Sequence, residues 1–220
     1  MQAKEELVKI CHKVYEKGYV SAYDGNLSCR ISENQFLITP SGKCKGEVEI
    51  DDLLIVDEKG KLIDGNGKVS TEVKLHLIIY NRRKDINSVI HCHPIYSTAF
   101  ATAGEGFTKP VFPEVVLALG KVPLCKYATP STDELPDSIT PYIDFSWAFL
   151  LENHGAVTVG KTIKGAYYRM EKLEHSAHTL FIARLLGREK TIPLVKLKQL
   201  YSIAEKTYDI KIDERNRLDY

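Results

Sequence analysis

The chain has 220 residues, 44% of them hydrophobic, with 30 Lys and Arg against 29 Asp and Glu for a formal net charge of +1. That length fills one layered core. The balanced charge argues against a nucleic-acid protein, which carries a basic stripe, but leaves room for a small anionic ligand that needs only a few local donors. No apolar run approaches the roughly 18 residues of a membrane span. The N-terminal segment mixes charged with apolar residues where a signal peptide would be continuously apolar. A cytoplasmic protein without membrane or nucleic-acid partners is expected. The five cysteines (Cys11, Cys29, Cys44, Cys92 and Cys125) form no Cys-x-x-Cys pair and read as structural thiols of a reducing compartment.

In chain order, Leu7, Ile10, Cys11, Val14 and Tyr15 recur at helical spacing, predicting a helix over 3–17 closed by Gly18. The polar turn Tyr23-Asp24-Gly25-Asn26 leads into a strand from Leu27 to Ile31. A second strand, Gln35 to Thr39, ends at Pro40-Ser41-Gly42. Leu53–Val56 and Lys61–Ile63 read as a hairpin across Glu58-Lys59-Gly60. Ser70-Thr71 is expected to cap a helix carrying Val73, Leu75, Ile78 and Ile79. Ser88 to His93 reads as a strand halted by Pro94. Helices are expected over 97–103, 133–143, 162–186 and 195–206, and strands over 122–127, 148–151 and 156–159, with a charged tail from about 207. Strands mixed with helices imply a central sheet covered on both faces.

The chemistry concentrates in a few places. Alternate side chains of a strand share a face, so His91 and His93 project together, roughly 6–7 Å apart at their α-carbons, while Cys92 points away. His154 stands where the apolar strand Phe149-Leu150-Leu151 ends, before a glycine expected to permit a sharp turn. Three neutral histidines leave a coordination position open, as a catalytic zinc site requires. Ser70, Thr71 and Glu72 start a helix, where hydroxyls and free N–H groups bind anions. The turns Asp24-Gly25-Asn26 and Pro40-Ser41-Gly42 offer further N–H groups. His175 and His178, at i, i+3 spacing, and His12 and His76, on amphipathic helices, read as packing residues.

The blocks GNLSCR, ITPSG, STEVKLHLIIY, HCHP and ENHGAVTVG occur in the order of the class II aldolase/adducin family, which this sequence resembles from about residue 5 to about residue 185. The resemblance implies an α/β fold, a three-layer α/β/α domain over the whole chain with a mixed, mostly antiparallel sheet, assembled as a homotetramer with active sites at subunit interfaces. It also implies that His91, His93, His154 and Glu72 bind Zn2+, with Mn2+ or Co2+ as alternatives. Glu72 would double as the acid/base, and Asn26, Ser41, Gly42, Ser70 and Thr71 would hold a substrate phosphate. The implied reaction is aldol cleavage of a short ketose 1-phosphate to dihydroxyacetone phosphate and an aldehyde through an enediolate. A family decarboxylase or dehydratase, or a non-catalytic adducin-like scaffold, are the alternatives. The family's epimerase branch has aspartate at the position of Glu72, and adducin-like members lack the histidines, so both features favour a bond-breaking enzyme. One departure stands out: the tyrosine that transfers the proton at the aldehyde oxygen in aldolases falls at Phe112 or Pro113, with Glu114 as the candidate substitute. Tyr208 and Tyr220 are candidates for a C-terminal tyrosine that closes the site.

Overall fold

A computed structural model describes residues 1–218. Helix α1 (Gln2–Glu16) buries Leu7, Ile10, Cys11 and Val14, and Gly18, at φ +69°, closes it by donating its N–H to Tyr15 O. There follow β1 (Asn26–Ser32), β2 (Gln35–Ile38), β3 (Leu54–Asp57), β4 (Leu62–Asp64), α2 (Val73–Arg82) and β5 (Ser88–Cys92). Then come α3 (Ile95–Thr102), α4 (Pro113–Ala118), β6 (Leu124–Cys125), α5 (Glu134–Ile139), β7 (Ala148–Leu151), β8 (Gly155–Gly160), α6 (Ile163–Leu185) and α7 (Leu194–Tyr208).

The eight strands form one sheet in the order β4-β3-β2-β1-β5-β8-β7-β6. Every neighbouring pair is antiparallel except β6 with β7. Strand alternation splits the interior into two cores. Ile90 and Cys92 of β5 join Leu7, Cys11, Phe100, Met170 and Leu173 on the face covered by α1, α3 and α6. Val89, with Val157 and Phe149, joins Leu75, Ile79 and Ile139 on the face covered by α2 and α5. This is the α/β architecture expected, with helices on both sides of a mixed, mostly antiparallel sheet. Among the described residues no helix is long and apolar enough to cross a membrane.

Three local expectations are corrected. Neither Ser70 nor Thr71 caps α2: the N-cap is Glu72, and the Ser70 hydroxyl accepts from the Glu72 N–H at 3.3 Å. The strand expected over 122–127 shrinks to β6, because it lies at the sheet edge and pairs with β7 alone. The charged tail is not simply a solvated face. Asn216 and Leu218 are buried, and Asn216 Nδ2 donates to Leu119 O while its own carbonyl accepts from Lys121 N. Leu218 closes a small core with Val116 and Leu197, between α4 and α7.

Candidate metal centre and catalytic site

His91, the penultimate residue of β5, is fully buried opposite Asn26 of β1 and Val157 of β8. Its Nδ1 donates to Ala156 O at 3.0 Å, which fixes the tautomer and leaves Nε2 with a lone pair, 3.2 Å from His93 Nε2. His154 sits in the β7–β8 turn, and its ring packs edge-on to His91 with centroids 4.7 Å apart. Ligand atoms of these three imidazoles all lie within 4.8 Å of one another. The left-handed residue of that turn is Asn153, at φ +54°, and not the glycine. Gly155 serves closeness instead: a Cβ there would meet His93 Cδ2 at 2.5 Å and Cys92 O at 2.6 Å. Gly25, at φ +72°, similarly lets the turn before β1 approach the His91 carbonyl, which a Cβ would meet at 2.8 Å.

Burial holds all three imidazoles below the ordinary histidine range, reinforced by mutual repulsion: His93 and His154 push His91 down, and His154 pushes His93 down. At neutral pH the cluster is therefore uncharged and rich in lone pairs. His154 Nδ1 is buried with no hydrogen-bond partner among the described residues. Convergent neutral nitrogens, one with its second nitrogen tied to a carbonyl, fit a divalent transition metal. Glu72 completes the group, with Oε1 3.3 Å from His154 Nε2 and Oε2 3.6 Å from His91 Nε2. Asn26 Nδ2 donates to Glu72 Oε2 at 2.7 Å, so the cross-strand neighbour of His91 also steadies the carboxylate.

The Pro40-Ser41-Gly42 turn lies against the segment that leads into α2. An isolated bridge pairs Pro40 with Val69, and Ser41 N donates to Lys68 O, which sets Ser41 and Gly42 beside the segment carrying Ser70 and Thr71. Gly42, at φ +74°, faces open space. The Thr71 hydroxyl pairs with Ser131 Oγ at 2.6 Å. The amide of Asn26, expected on the phosphate, is engaged by Glu72 and by His76. Glu114 is exposed in the first turn of α4, Phe112 packs against the core, and no hydrogen bond or ion pair among the described residues joins either to the histidine cluster. Tyr208 ends α7 and is exposed. Tyr220 lies outside the described residues.

Sequence reading missed Lys45 and Asp24. Buried Lys45 donates from Nζ to Tyr23 O at 3.0 Å and Lys43 O at 2.8 Å, bridging the segments of both anion turns. Asp24 Oδ2 stands 3.9 Å from His93 Nδ1. It also underrated His76. Glu72, His76 and Tyr80 recur every fourth residue, a spacing that puts them on one helix face, and that regularity could have exposed the link.

The fold belongs to a known class. Residues 5–181 match the model of the Class II Aldolase and Adducin N-terminal domain, and the chain is a member of that family. It is 36% identical over 186 residues to a 3-oxo-tetronate 4-phosphate decarboxylase of Pectobacterium atrosepticum, covering 82% of this chain and 84% of that one. It is also 36% identical over 178 residues to an L-fuculose phosphate aldolase of Methanococcus maripaludis, covering 80% and 94%. The crystal structure of YgbL from Klebsiella pneumoniae superposes with a TM-score of 0.84 at 30% identity, over 90% of this chain and 97% of that one.

Proposed function

We propose that the chain is a metal-dependent aldolase that cleaves a short ketose 1-phosphate to dihydroxyacetone phosphate and an aldehyde. The observation that carries this reading is the Glu72 carboxylate, set 3.3 and 3.6 Å from two imidazoles of a three-histidine cluster and held there by Asn26. A divalent ion on His91, His93 and His154, zinc in the first instance, would supply Lewis-acid charge to the ketone and neighbouring hydroxyl oxygens and so lower the energy of the enediolate. Ser41, Gly42, Ser70 and Thr71 hold the phosphate and turn its binding energy into orientation. Glu72 swings from the histidines to deliver a proton to the carbon that becomes the hydroxymethyl group, and takes one from that carbon in the reverse direction. The working form is a cytoplasmic homotetramer of single-domain subunits. In it, Glu114 of a neighbouring copy takes the proton from the hydroxyl that becomes the aldehyde carbonyl.

The test is proton–deuterium exchange at the hydroxymethyl carbon of dihydroxyacetone phosphate in heavy water. Zinc-loaded protein should exchange and chelated protein should not. Absence of exchange with zinc bound refutes the enediolate chemistry.

One observation favours a second reading. Neither Phe112 nor Pro113 carries a proton-transferring group, and loss of carbon dioxide from a phosphorylated 3-keto acid needs no proton transfer at the leaving group. Decarboxylation of 3-oxo-tetronate 4-phosphate would pass through the same carbanion of dihydroxyacetone phosphate. Carbon dioxide release from that acid, with no aldehyde release from L-fuculose 1-phosphate, would select the decarboxylase.

A further inference from the structure

Behind Asn26 runs a file of buried polar groups. Asn26 Oδ1 lies 2.5 Å from His76 Nε2, His76 Nδ1 lies 2.6 Å from Ser28 Oγ, and Ser28 Oγ lies 2.7 Å from Tyr80 Oη. His76, Ser28 and Tyr80 are shielded from solvent. The direction of every bond in the file follows from its open end. An ionised carboxylate only accepts, so Asn26 must turn its NH2 to Glu72 and its carbonyl oxygen to His76. That oxygen also only accepts, so His76 carries its proton on Nε2. A neutral imidazole has a single N–H, so Nδ1 accepts from the Ser28 hydroxyl, whose oxygen accepts in turn from Tyr80. Burial pushes His76 down to about 3, so the ring stays neutral and the order is not disturbed at working pH.

We propose that His76 is a positioning residue for the reaction: donating from Nε2, it locks the Asn26 amide so that the site always meets a pair of N–H donors there. At rest the amide nitrogen holds the Glu72 carboxylate through one hydrogen bond. When substrate arrives the donors pass to its phosphate, and Glu72 is released to carry the proton. Phosphate binding and the freeing of the base are thereby coupled through one amide. Ser28 and Tyr80 act one step further back, by denying His76 its other tautomer. This inference rests on the assignment of Glu72 as the proton carrier. A purely structural polar file would serve as well with every bond reversed. The polarity is what gives Asn26 its function.

Two measurements test it. In a neutron structure of the zinc-loaded protein, deuterium should appear on His76 Nε2, with the Ser28 hydroxyl directed at Nδ1. Deuterium on Nδ1 overturns the proposal whether or not the protein has turnover. In kinetics, His76→Leu should lower kcat by about 10- to 100-fold at unchanged zinc content, the range found when a group supporting a catalytic residue is lost. His76→Gln, which offers one donor and one acceptor, should recover to within about threefold of wild type on the same scale. Full kcat in His76→Leu, or no recovery in a folded His76→Gln, overturns the proposal. If His76→Leu does not fold, Ser28→Ala replaces it, since it frees the ring to take either tautomer. There kcat must fall while zinc content holds, and an unchanged kcat overturns the proposal. A wild-type protein without turnover on either substrate class condemns the functional reading instead, and the neutron result alone then decides the polarity.

Discussion

Replacing Glu72 by glutamine removes one proton-carrying oxygen and almost nothing else. The carboxylate accepts from Asn26 Nδ2 at 2.7 Å and faces His154 Nε2 at 3.3 Å. A glutamine in the same rotamer can keep the first contact through its carbonyl oxygen, so the local packing survives. His91, His93 and His154 are untouched, and zinc stoichiometry should stay at the wild-type value. What is lost is general acid/base catalysis, which contributes about 10²- to 10⁴-fold, or about 3–5 kcal/mol of transition-state stabilisation. The assay is deuterium incorporation into dihydroxyacetone phosphate followed by NMR, at saturating substrate and verified zinc content. Binding of the phosphate ester, measured separately by calorimetry, should change little. Exchange in the variant at more than a third of the wild-type rate would remove Glu72 from the proton-transfer role, and a large loss of zinc would show that the carboxylate acts chiefly as a ligand.

Gly155→Ala would drive a Cβ into the His93 ring and the Cys92 carbonyl; it should cost about 1–3 kcal/mol by overpacking and lower zinc affinity, read by thermal melting and metal titration, and unchanged affinity would deny the glycine its part in placing His93. His76 has its folded pKa depressed from 6.5 to about 3, so the stability it confers is complete above pH 6.5 and is lost as the pH falls through the window toward 3. Between pH 7 and pH 5 that amounts to about 2 kcal/mol, and urea unfolding of wild type and His76→Gln should show the variant losing less; parallel losses would refute the assignment. Lys45→Met leaves the Tyr23 and Lys43 carbonyls without their buried donor, which should cost about 1–3 kcal/mol and raise KM for the phosphorylated substrate more than it lowers kcat. A change confined to kcat would mean that Lys45 does not act through the anion turns.

The parts of this site written in local periodicity were legible in the sequence. Period-2 alternation put His91 and His93 on one face and Cys92 on the other, and Cys92 indeed lies in the opposite core from Val89. The end of an apolar strand correctly marked the position of His154. What local pattern could not supply was anything fixed by partners distant in the chain. Asn26 reads as a turn residue until the β1–β5 register places it across from His91. Lys45 looks like an ordinary surface lysine until two remote carbonyls enclose it. The glycine after His154 invited a turn argument, yet Asn153 takes the left-handed conformation and Gly155 makes room for a ring from another strand. The charged residues of the C-terminal segment hid Asn216 and Leu218, whose burial depends on groups contributed by the stretch around α4.

The two relatives named above act by chemistries that diverge at only one point. Aldol cleavage and decarboxylation each break a carbon–carbon bond beside a ketone and leave the electrons on the same side. Each then needs the same charge stabilisation, the same phosphate anchor and the same proton delivered to the new hydroxymethyl carbon. On the proposed reading, what is assembled around His91, His93, His154, Glu72 and Asn26 would serve those shared demands, so a single framework would suit both. They part at the leaving group: an aldehyde departs as an alkoxide-derived carbonyl and requires a proton transfer at its oxygen, while carbon dioxide requires none. On the proposed reading the discriminating chemistry would belong to the segment running from Phe112 to Glu114, outside the histidine cluster. Introducing a phenol there by Phe112→Tyr should raise aldehyde release relative to carbon dioxide release if the segment faces the leaving group of a neighbouring copy. An unchanged ratio would place the discrimination elsewhere.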